Sequence, residues 1–323
     1  MRHYFLFFLL SIFIISCEKE AKNLVDVSGI SVNYEIQRFD IDFYQSNSKS
    51  LEDLKSNYSI LFPKGTSDSV WLAKMRDKDE LELFAETQKV YEDFSPVKKN
   101  LTDLFKHIKY YNKEFEAPNI ITILSNIDYE YRVIYANSKI LLISLDAYLG
   151  KDHSFYGDYP AYIKENNTPS RIAVDVANKI LETQIVPSKT RTFLGKMIAA
   201  GKKMYVLDLY IPTLPDAIKI GYSKEKMNWA KTNEEQVWRY FIEENLLYST
   251  DTKLNKRFLD EAPFSKFYLT EDTKSPGRIG QWIGWQIVRS FMNENDVSLQ
   301  TLLTMDEEEI FKKSNYKPKN TWQ

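Results

Sequence analysis

The sequence is poor in the residue types that most often carry chemistry. Its 323 residues include one cysteine, Cys17, and three histidines. A single cysteine cannot form a disulfide within the chain. The sequence contains no His-Glu-x-x-His, no Gly-x-Ser-x-Gly, no Walker loop and no dinucleotide-binding glycine fingerprint. A zinc site built from paired histidines is therefore excluded, and nothing indicates a serine hydrolase or a nucleotide-binding enzyme.

An excess of charge of one sign is also lacking. Lysine and arginine number 43 against 45 aspartates and glutamates, and the two signs are interspersed along the chain. Nucleic-acid-binding proteins concentrate basic residues on one face, so we expect no nucleic-acid partner. Glycine is sparse, no internal repeat occurs, and 43% of the residues are hydrophobic, as is typical of a folded chain.

The N-terminus has the pattern of an export signal. Arg2 precedes the apolar run Tyr4–Ile15, and the small residue Ser16 precedes Cys17. The apolar run is shorter than the roughly 20 residues that a membrane-spanning helix needs. Cysteine after Ser16 resembles a bacterial lipobox, which implies cleavage before Cys17, lipid on its thiol and acylation of its new amino group. Two or more acyl chains anchor a protein stably. The alternative is a plain signal peptide with an incidental cysteine.

These features divide the chain into three parts. Residues 1–16 are predicted to be a lipoprotein signal peptide, residues 17–33 a polar lipidated tether, and residues 34–323 a single globular domain. We therefore expect a protein of the cell envelope that contacts a membrane through its N-terminal lipid. Glu18 and Glu20 partly match an acidic mark of surface lipoproteins in gliding bacteria. The outer membrane is favoured over the inner one, and surface exposure stays open.

The hydrophobic pattern predicts an α+β fold, with a predominantly helical body and a small, largely antiparallel sheet in the first half. The predicted strands are Tyr34–Phe43, Asn119–Leu124, Tyr131–Tyr135 and Lys139–Leu145. From Ser170 onwards the pattern is almost wholly helical. The predicted late helices are Ser170–Gln184, Ser188–Ala200, Glu234–Leu247, Lys253–Glu261, Gly277–Glu294 and Ser298–Lys312.

Two glycines mark one of the late helices. Gly280 and Gly284 lie four residues apart and therefore share a helix face. Because glycine costs about 1 kcal/mol relative to alanine inside a helix, the pair predicts that another backbone packs closely against this face. Trp282 and Trp285 flank the glycines. They are either core aromatics or an exposed aromatic patch for a partner.

A second candidate surface is the aromatic connector Tyr148–Tyr162. Tyr148, Tyr156 and Tyr159 could line a groove there, or they could cover the edge of the sheet. Elsewhere, Asp68-Ser69-Val70 resembles a short acceptor for O-glycans in exported proteins of gliding bacteria, so Ser69 is a candidate glycosylation site.

Several of these features together resemble the gliding motility lipoprotein GldB family. They are the lipobox, the segment Arg38-Phe39-Asp40, the connector Asp146–Pro160 and the glycine-containing segment Pro276–Val288. The resemblance extends over nearly the whole mature chain. It implies a component of the envelope machinery with which bacteria glide over surfaces, and other motility or envelope proteins as its partners.

The region from Arg171 onwards also resembles, more distantly, a zincin-type peptidase. In this comparison Val174 and Asn178 occupy the two histidine positions of the zinc-binding helix, and Asp175 takes the place of the general base. Ala200, just before Gly201, occupies the third ligand position. Val174, Asn178 and Ala200 cannot bind zinc. The resemblance thus implies a degenerate zincin-like fold, a pseudoenzyme with no metal and no cofactor. The alternative is an ordinary apolar core helix.

The predicted function is therefore that of a lipid-anchored, non-catalytic component of the gliding machinery. Two other functions stay open. One is an envelope hydrolase or peptidase with an unusual site around His153, Asp175 and the carboxylates of the connector. The other is a module that binds a peptide or a glycan through the aromatic connector.

Overall fold

The computed structural model describes residues 24–318. The predicted signal peptide, Cys17 and the first part of the predicted tether lie outside the described residues. The four strands of the described chain are β1 (Ile36–Gln37), β2 (Asn119–Ile123), β3 (Val133–Asn137) and β4 (Ile140–Ser144). Its α-helices, in chain order, are α1 (Phe39–Tyr44), α2 (Leu51–Asn57), α3 (Asp68–Lys74), α4 (Lys78–Val90), α5 (Ser95–Tyr111), α6 (Ala161–Lys164), α7 (Ile172–Gln184), α8 (Phe193–Tyr210), α9 (Asp216–Ile220), α10 (Lys224–Thr232), α11 (Glu234–Glu243), α12 (Lys253–Phe258), α13 (Ile279–Glu294), α14 (Leu299–Thr304) and α15 (Glu307–Ser314). Between residues 24 and 318, none of the helices is both long enough and apolar enough to cross a membrane.

The α+β class is confirmed, and the sheet is small and lies in the first half of the chain. Its strand order is β1-β2-β4-β3. The expected antiparallel pairing holds for the hairpin of β3 and β4, whereas β1 pairs with β2 and β2 pairs with β4 in parallel. The sheet is therefore mixed. Five helices separate β1 from β2, and such a long connection allows the chain to return in the same direction.

The predicted strand Tyr34–Phe43 is mostly wrong. Only Ile36 and Gln37 pair as a strand, and helix α1 begins at Phe39. Phe39 and Phe43 are four residues apart, and their rings lie 5.2 Å from each other on one face of this helix. The apolar residues of this segment thus follow a helical spacing that a partial alternation conceals.

The core is built around the pair of helices α8 and α13. Apolar side chains from Phe43 to Ile310 form one buried cluster, and α8 is buried along most of its length. A Cβ atom placed on Gly284 would lie 1.8 Å from the carbonyl oxygen of Met197 in α8. The predicted close approach of another backbone to this glycine is confirmed.

The flanking tryptophans of α13 belong to the core. Trp282 is 2% exposed and Trp285 is fully buried. Their rings pack edge to face, with centroids 5.7 Å apart. The alternative of an exposed aromatic patch at Trp282 and Trp285 is therefore wrong. The physical reason is the close packing of the two helices. Because the glycines have no side chains, α13 can lie against α8, and the neighbouring indoles are then buried between the helices and the rest of the core.

Candidate functional site

The connector after β4 is anchored by a buried carboxylate. Asp146 accepts hydrogen bonds from the backbone N–H groups of Ser125, at 2.9 Å, and Ile127, at 2.7 Å. Burial raises the pKa of Asp146 to about 6, against the effect of these hydrogen bonds. The side chain ties the loop after β2 to the end of β4.

The aromatic residues of the connector pack inwards. The hydroxyl of Tyr156 donates to the carbonyl oxygen of Asp146 at 2.6 Å and accepts from the N–H of Leu149 at 2.8 Å. Tyr148 and Tyr156 are both fully buried, so they do not form the expected interaction surface. Tyr159 is half-buried and donates to the carbonyl oxygen of Ile127. The cause is local, because short 3₁₀ turns at residues 145–148 and 154–156 fold the rings against the end of the sheet.

The candidate catalytic residues His153 and Asp175 take part in different contacts. Nε2 of His153 lies 3.5 Å from a carboxylate oxygen of Glu86, and its ring packs against Phe155. Asp175 accepts hydrogen bonds from Nε of Arg171 and from the hydroxyl of Tyr148, each at 2.9 Å. Both of its oxygens are therefore occupied by donors from the protein.

Asp175 lies beside three arginines, Arg132, Arg171 and Arg278, which we call the arginine cluster. Arg171 ends a 3₁₀ turn just before α7, Arg132 precedes β3 and Arg278 precedes α13. One Nη of Arg132 lies 3.8 Å from Asp175. The side chains of Arg132 and Arg171 are 11% and 9% exposed, so these cations are largely withdrawn from water.

Two guanidinium groups of the cluster bind carbonyl oxygens at the ends of short helices. Arg171 donates to the carbonyl oxygens of Ile218 and Lys219, in the last turn of α9. Arg132 donates to the carbonyl oxygen of Asn166, just after α6, at 3.3 Å, and to Oδ1 of Asn167 at 2.5 Å. A cation at a helix C-terminus interacts favourably with the helix dipole, so these contacts also stabilise the fold.

Arg278 has an unusual backbone. Its φ of +58° places it in the left-handed region, directly before the first turn of α13. Its Nη2 donates to the carbonyl oxygen of Ile220 at 2.6 Å. A Cβ on the neighbouring Gly221 would lie 3.1 Å from this Nη2 and 2.2 Å from Oδ1 of Asn166. Gly221 has a φ of +73°, so both its conformation and its neighbours call for glycine.

Three cavities meet at Arg278. One of about 230 Å³ contains all three members of the arginine cluster in its wall. A second, of about 650 Å³, shares Arg171, Asn178 and Arg278 with the first. A third, of about 620 Å³, shares Arg278 and has the apolar residues Pro263 and Phe264 in its wall. The arginine cluster and these cavities are the candidate functional site.

Several polar atoms at this site are buried without a hydrogen-bond partner. They are Nε of Arg132, Nε of Arg278, Oδ1 of Asn166 and Nδ2 of Asn167. Burial lowers the pKa of Arg278, and exposed Glu261 offsets this only in part. An unpaired buried polar atom costs about 1–3 kcal/mol, and such atoms in native proteins call for an explanation.

The zincin-equivalent positions are partly brought together. Asn178 and Ala200 both border the 650 Å³ cavity, whereas Val174 is fully buried in the core. Residues 24–318 contain no group of three or more histidine, cysteine, aspartate or glutamate side chains placed to hold a metal ion. Ser69 is exposed in the first turn of α3, and its Oγ lies 2.7 Å from that of Ser67.

The sequence alone did not identify Arg132, Arg278 and Asn166 as site residues. They come from three distant segments, and no fixed spacing links them. One signal was present for Arg278, because a basic residue just before a helix is unfavourable for the helix dipole. A cation in that position indicates either a special backbone conformation or a role besides helix stability.

Comparison with known proteins identifies the chain's relationships. The family model described as gliding motility protein GldB matches residues 20–318, nearly the whole chain. The resemblance to this family is therefore confirmed, whereas the lipobox at Cys17 lies outside the matched residues and stays a prediction. No curated protein matches the chain, and no solved structure does. The zincin resemblance stays a prediction.

Proposed function

The chain belongs to the gliding motility protein GldB family, and we propose that it is a lipid-anchored, non-catalytic component of the motility machinery in the bacterial cell envelope. The observation that carries this proposal is the family match over residues 20–318, which begins three residues after the predicted lipobox cysteine, Cys17. The lipid would hold the folded body at a membrane, where it contacts other envelope proteins.

The environment of Asp175 supports a non-catalytic role. A general base must lie within hydrogen-bond reach of the proton that it removes, and hydrogen bonds from the protein compete with that contact. In this site Arg171 and Tyr148 occupy the two oxygens of Asp175, and Arg132 lies nearby. This arrangement favours a structural role, in which the carboxylate partly neutralises the arginine cluster.

The anchoring part of the proposal is tested by Cys17→Ala in a strain that lacks the chromosomal copy. Cysteine is the lipid acceptor, so the variant should leave the membrane fraction, and colony spreading should fail. Lys22→Gln is the matched control, because it alters the predicted tether outside the acidic mark and keeps the lipidated cysteine. Normal spreading by Cys17→Ala cells, with the protein found outside the membrane fraction, would refute the anchored-component proposal.

The proposal that the protein is non-catalytic is tested by His153→Ala, which removes the histidine of the alternative hydrolase site. His153 is held by Glu86 and Phe155, so we expect a folded protein and normal spreading. Zinc content of the purified protein, measured by mass spectrometry, is the companion measurement. Stoichiometric zinc, together with loss of spreading by a folded His153→Ala protein, would favour the hydrolase instead.

The location is tested by separating inner and outer membranes and blotting for the protein. We propose the outer membrane, on the partial acidic mark Glu18-Lys19-Glu20 after the cysteine. Protease treatment of intact cells then distinguishes the two leaflets, since only a surface-exposed body is cut.

A second candidate function is that of a binding module, which the three cavities at Arg278 favour. The aromatic connector contributes little to it, since Tyr148 and Tyr156 are buried. A binding role is compatible with the first proposal, because an envelope component can act by recognising a ligand.

A further inference from the structure

Positive charge gathers around the 650 Å³ cavity, although the whole chain carries a net charge of −2. Its wall contains six lysine or arginine side chains and three aspartates or glutamates. Some of the cations are neutralised, since Lys202 pairs with Glu307 at 3.0 Å and Lys219 pairs with Asp208 at 2.9 Å. Arg278 makes no ion pair within residues 24–318, so its charge is not neutralised by a direct protein contact.

The smaller, adjoining cavity places unsatisfied donors beside this charge. Nε of Arg132 and Nε of Arg278 are buried without an acceptor. Both residues line the 230 Å³ cavity, together with Arg171. Arginine N–H groups form charge-assisted hydrogen bonds with carboxylate and phosphate oxygens, often two at a time. An oxygen-rich anion in this cavity would therefore lie among three guanidinium groups that line its wall.

We propose that the arginine cluster is a binding site for an oxyanion, the carboxylate or phosphate group of a small molecule. Arg278 and Arg132 are the binding groups, and Arg171 adds charge while holding Asp175. Asn178 lines both cavities. Glycine at position 221 leaves the space in which Arg278 and Asn166 approach each other. The proposal does not depend on the role in gliding.

The carboxylates of this region do not already fill the site. Asp175 is bound by Arg171 and Tyr148. Glu182 is mostly exposed and pairs with Lys179 at 2.8 Å. Glu130 and Glu261 are exposed at the rim of the smaller cavity. The acidic groups are thus paired or face water, while the unsatisfied guanidinium donors are buried.

The test measures anion binding by the detergent-solubilised, full-length mature lipoprotein. Thermal unfolding and titration calorimetry are carried out with sodium phosphate and with sodium acetate, against sodium chloride at equal ionic strength. A ligand that binds only the folded state raises the midpoint of unfolding. We expect a rise with phosphate or with acetate, and none with chloride. Phosphate is tetrahedral and acetate is planar, so the anion that stabilises the protein shows whether the site prefers a phosphate group or a carboxylate group.

Two variants locate the binding. Arg278→Gln should weaken binding of the effective anion by at least about tenfold, as the loss of a charge-assisted hydrogen bond implies. Asn178→Asp should weaken anion binding similarly, because it adds a negative charge to the cavity wall. This variant replaces Arg278→Gln in the test if Arg278→Gln does not fold. Arg239→Gln is the control, because Arg239 is 59% exposed on α11 and pairs with Glu235.

The outcomes are decisive in either direction. Stabilisation by phosphate or acetate that is lost in Arg278→Gln or Asn178→Asp and kept in Arg239→Gln supports the site. Stabilisation that both cavity variants retain would place the anion elsewhere and overturn the proposal. An effect of phosphate and acetate no larger than that of chloride would also overturn it.

Discussion

Gly201 of α8 lies directly against Gly284 of α13. A Cβ placed on Gly201 would lie 2.2 Å from both the carbonyl carbon and the carbonyl oxygen of Gly284. These neighbours are backbone atoms, so they cannot rotate away as a side chain can. The central helix pair of the core, α8 and α13, is therefore held at a separation that requires glycine on both sides.

The first prediction concerns this contact. Gly284→Ala should lower the free energy of unfolding by about 3 kcal/mol or more, because the added Cβ would meet the carbonyl oxygen of Met197 at 1.8 Å. The better helix propensity of alanine, about 1 kcal/mol, offsets only part of this loss. Denaturant unfolding measures the change. Gly29→Ala is the control, since a Cβ at Gly29 would meet nothing within 4 Å. An unchanged midpoint for Gly284→Ala would contradict the packing.

The second prediction concerns Asp208 of α8, a buried carboxylate. It accepts hydrogen bonds from Lys219 at 2.9 Å, from Nε1 of Trp285 at 2.8 Å and from Arg289 at 2.7 Å. Asp208→Asn leaves two cations without this partner, so the free energy of unfolding should fall by about 3–5 kcal/mol.

Asp216→Asn is the matched control for Asp208→Asn. Burial disfavours the charge of Asp216, but pairing with Arg289 more than compensates, and the pKa of Asp216 is lowered. Its side chain is 26% exposed, and within residues 24–318 its carboxylate accepts hydrogen bonds from Arg289 alone. We expect a smaller loss of stability than at Asp208. Equal losses of stability in the two variants would show that Asp208 contributes no more to the stability of the fold than Asp216 does.

The third prediction is a pH dependence due to Asp146. The pKa of Asp146 is about 6 in the folded protein, whereas the ordinary value for an aspartate, expected in the unfolded chain, is 3.8. This difference corresponds to about 3 kcal/mol in the free energy of unfolding. Between these values the folded state binds more protons than the unfolded state. The contribution of Asp146 to stability is therefore greatest below pH 4 and is lost as the pH rises through 6.

Asp146→Asn isolates this effect, because asparagine does not titrate. The stability of the wild type relative to the variant should fall between pH 4 and pH 6 and stay constant above about pH 7. Unfolding curves for both proteins at each pH give the difference directly. A difference that is independent of pH, or one that rises with pH, would show that the carboxylate is charged throughout this range.

The fourth prediction concerns Tyr156, whose hydroxyl bridges two backbone groups of the connector. Tyr156→Phe leaves the buried N–H of Leu149 and the carbonyl oxygen of Asp146 without this partner, at a cost of about 1–3 kcal/mol. Tyr159→Phe is the matched control. It removes a single hydrogen bond from a half-buried side chain and should cost less. If Tyr156→Phe retained full stability, the hydroxyl would not hold the connector.

Much of the fold was predictable because its signals are local. Gly280 and Gly284 stand four residues apart, so their packing role follows from helix geometry alone. Short apolar runs gave β2, β3 and β4 to within a few residues. The strand prediction around Phe39 was wrong. Asp40 is polar but buried against Arg38 and Thr122, so the pattern of apolar residues does not show the helical period.

The candidate site was far less predictable. The zincin resemblance named Asn178 and Ala200 only as positions that cannot bind zinc, and the structure places both at one cavity. Nothing in the sequence connects Arg132 with Arg278, because the two are separated by 146 residues along the chain. Their shared cavity exists because α7 and the segments that lead into β3 and α13 meet there, and such packing has no local signature.

The sequence by itself determined the family, the α+β class and the close packing at Gly284, because each depends on neighbouring residues or on a fixed period. Only the tertiary structure decided which polar side chains meet inside. It paired Arg171 with Asp175, placed the connector tyrosines in the core and left the guanidinium donors of Arg132 and Arg278 beside one cavity. The reason is physical. Helical and strand periods are set within a few residues, whereas the neighbours of a buried charge are set by how distant segments of the chain pack together.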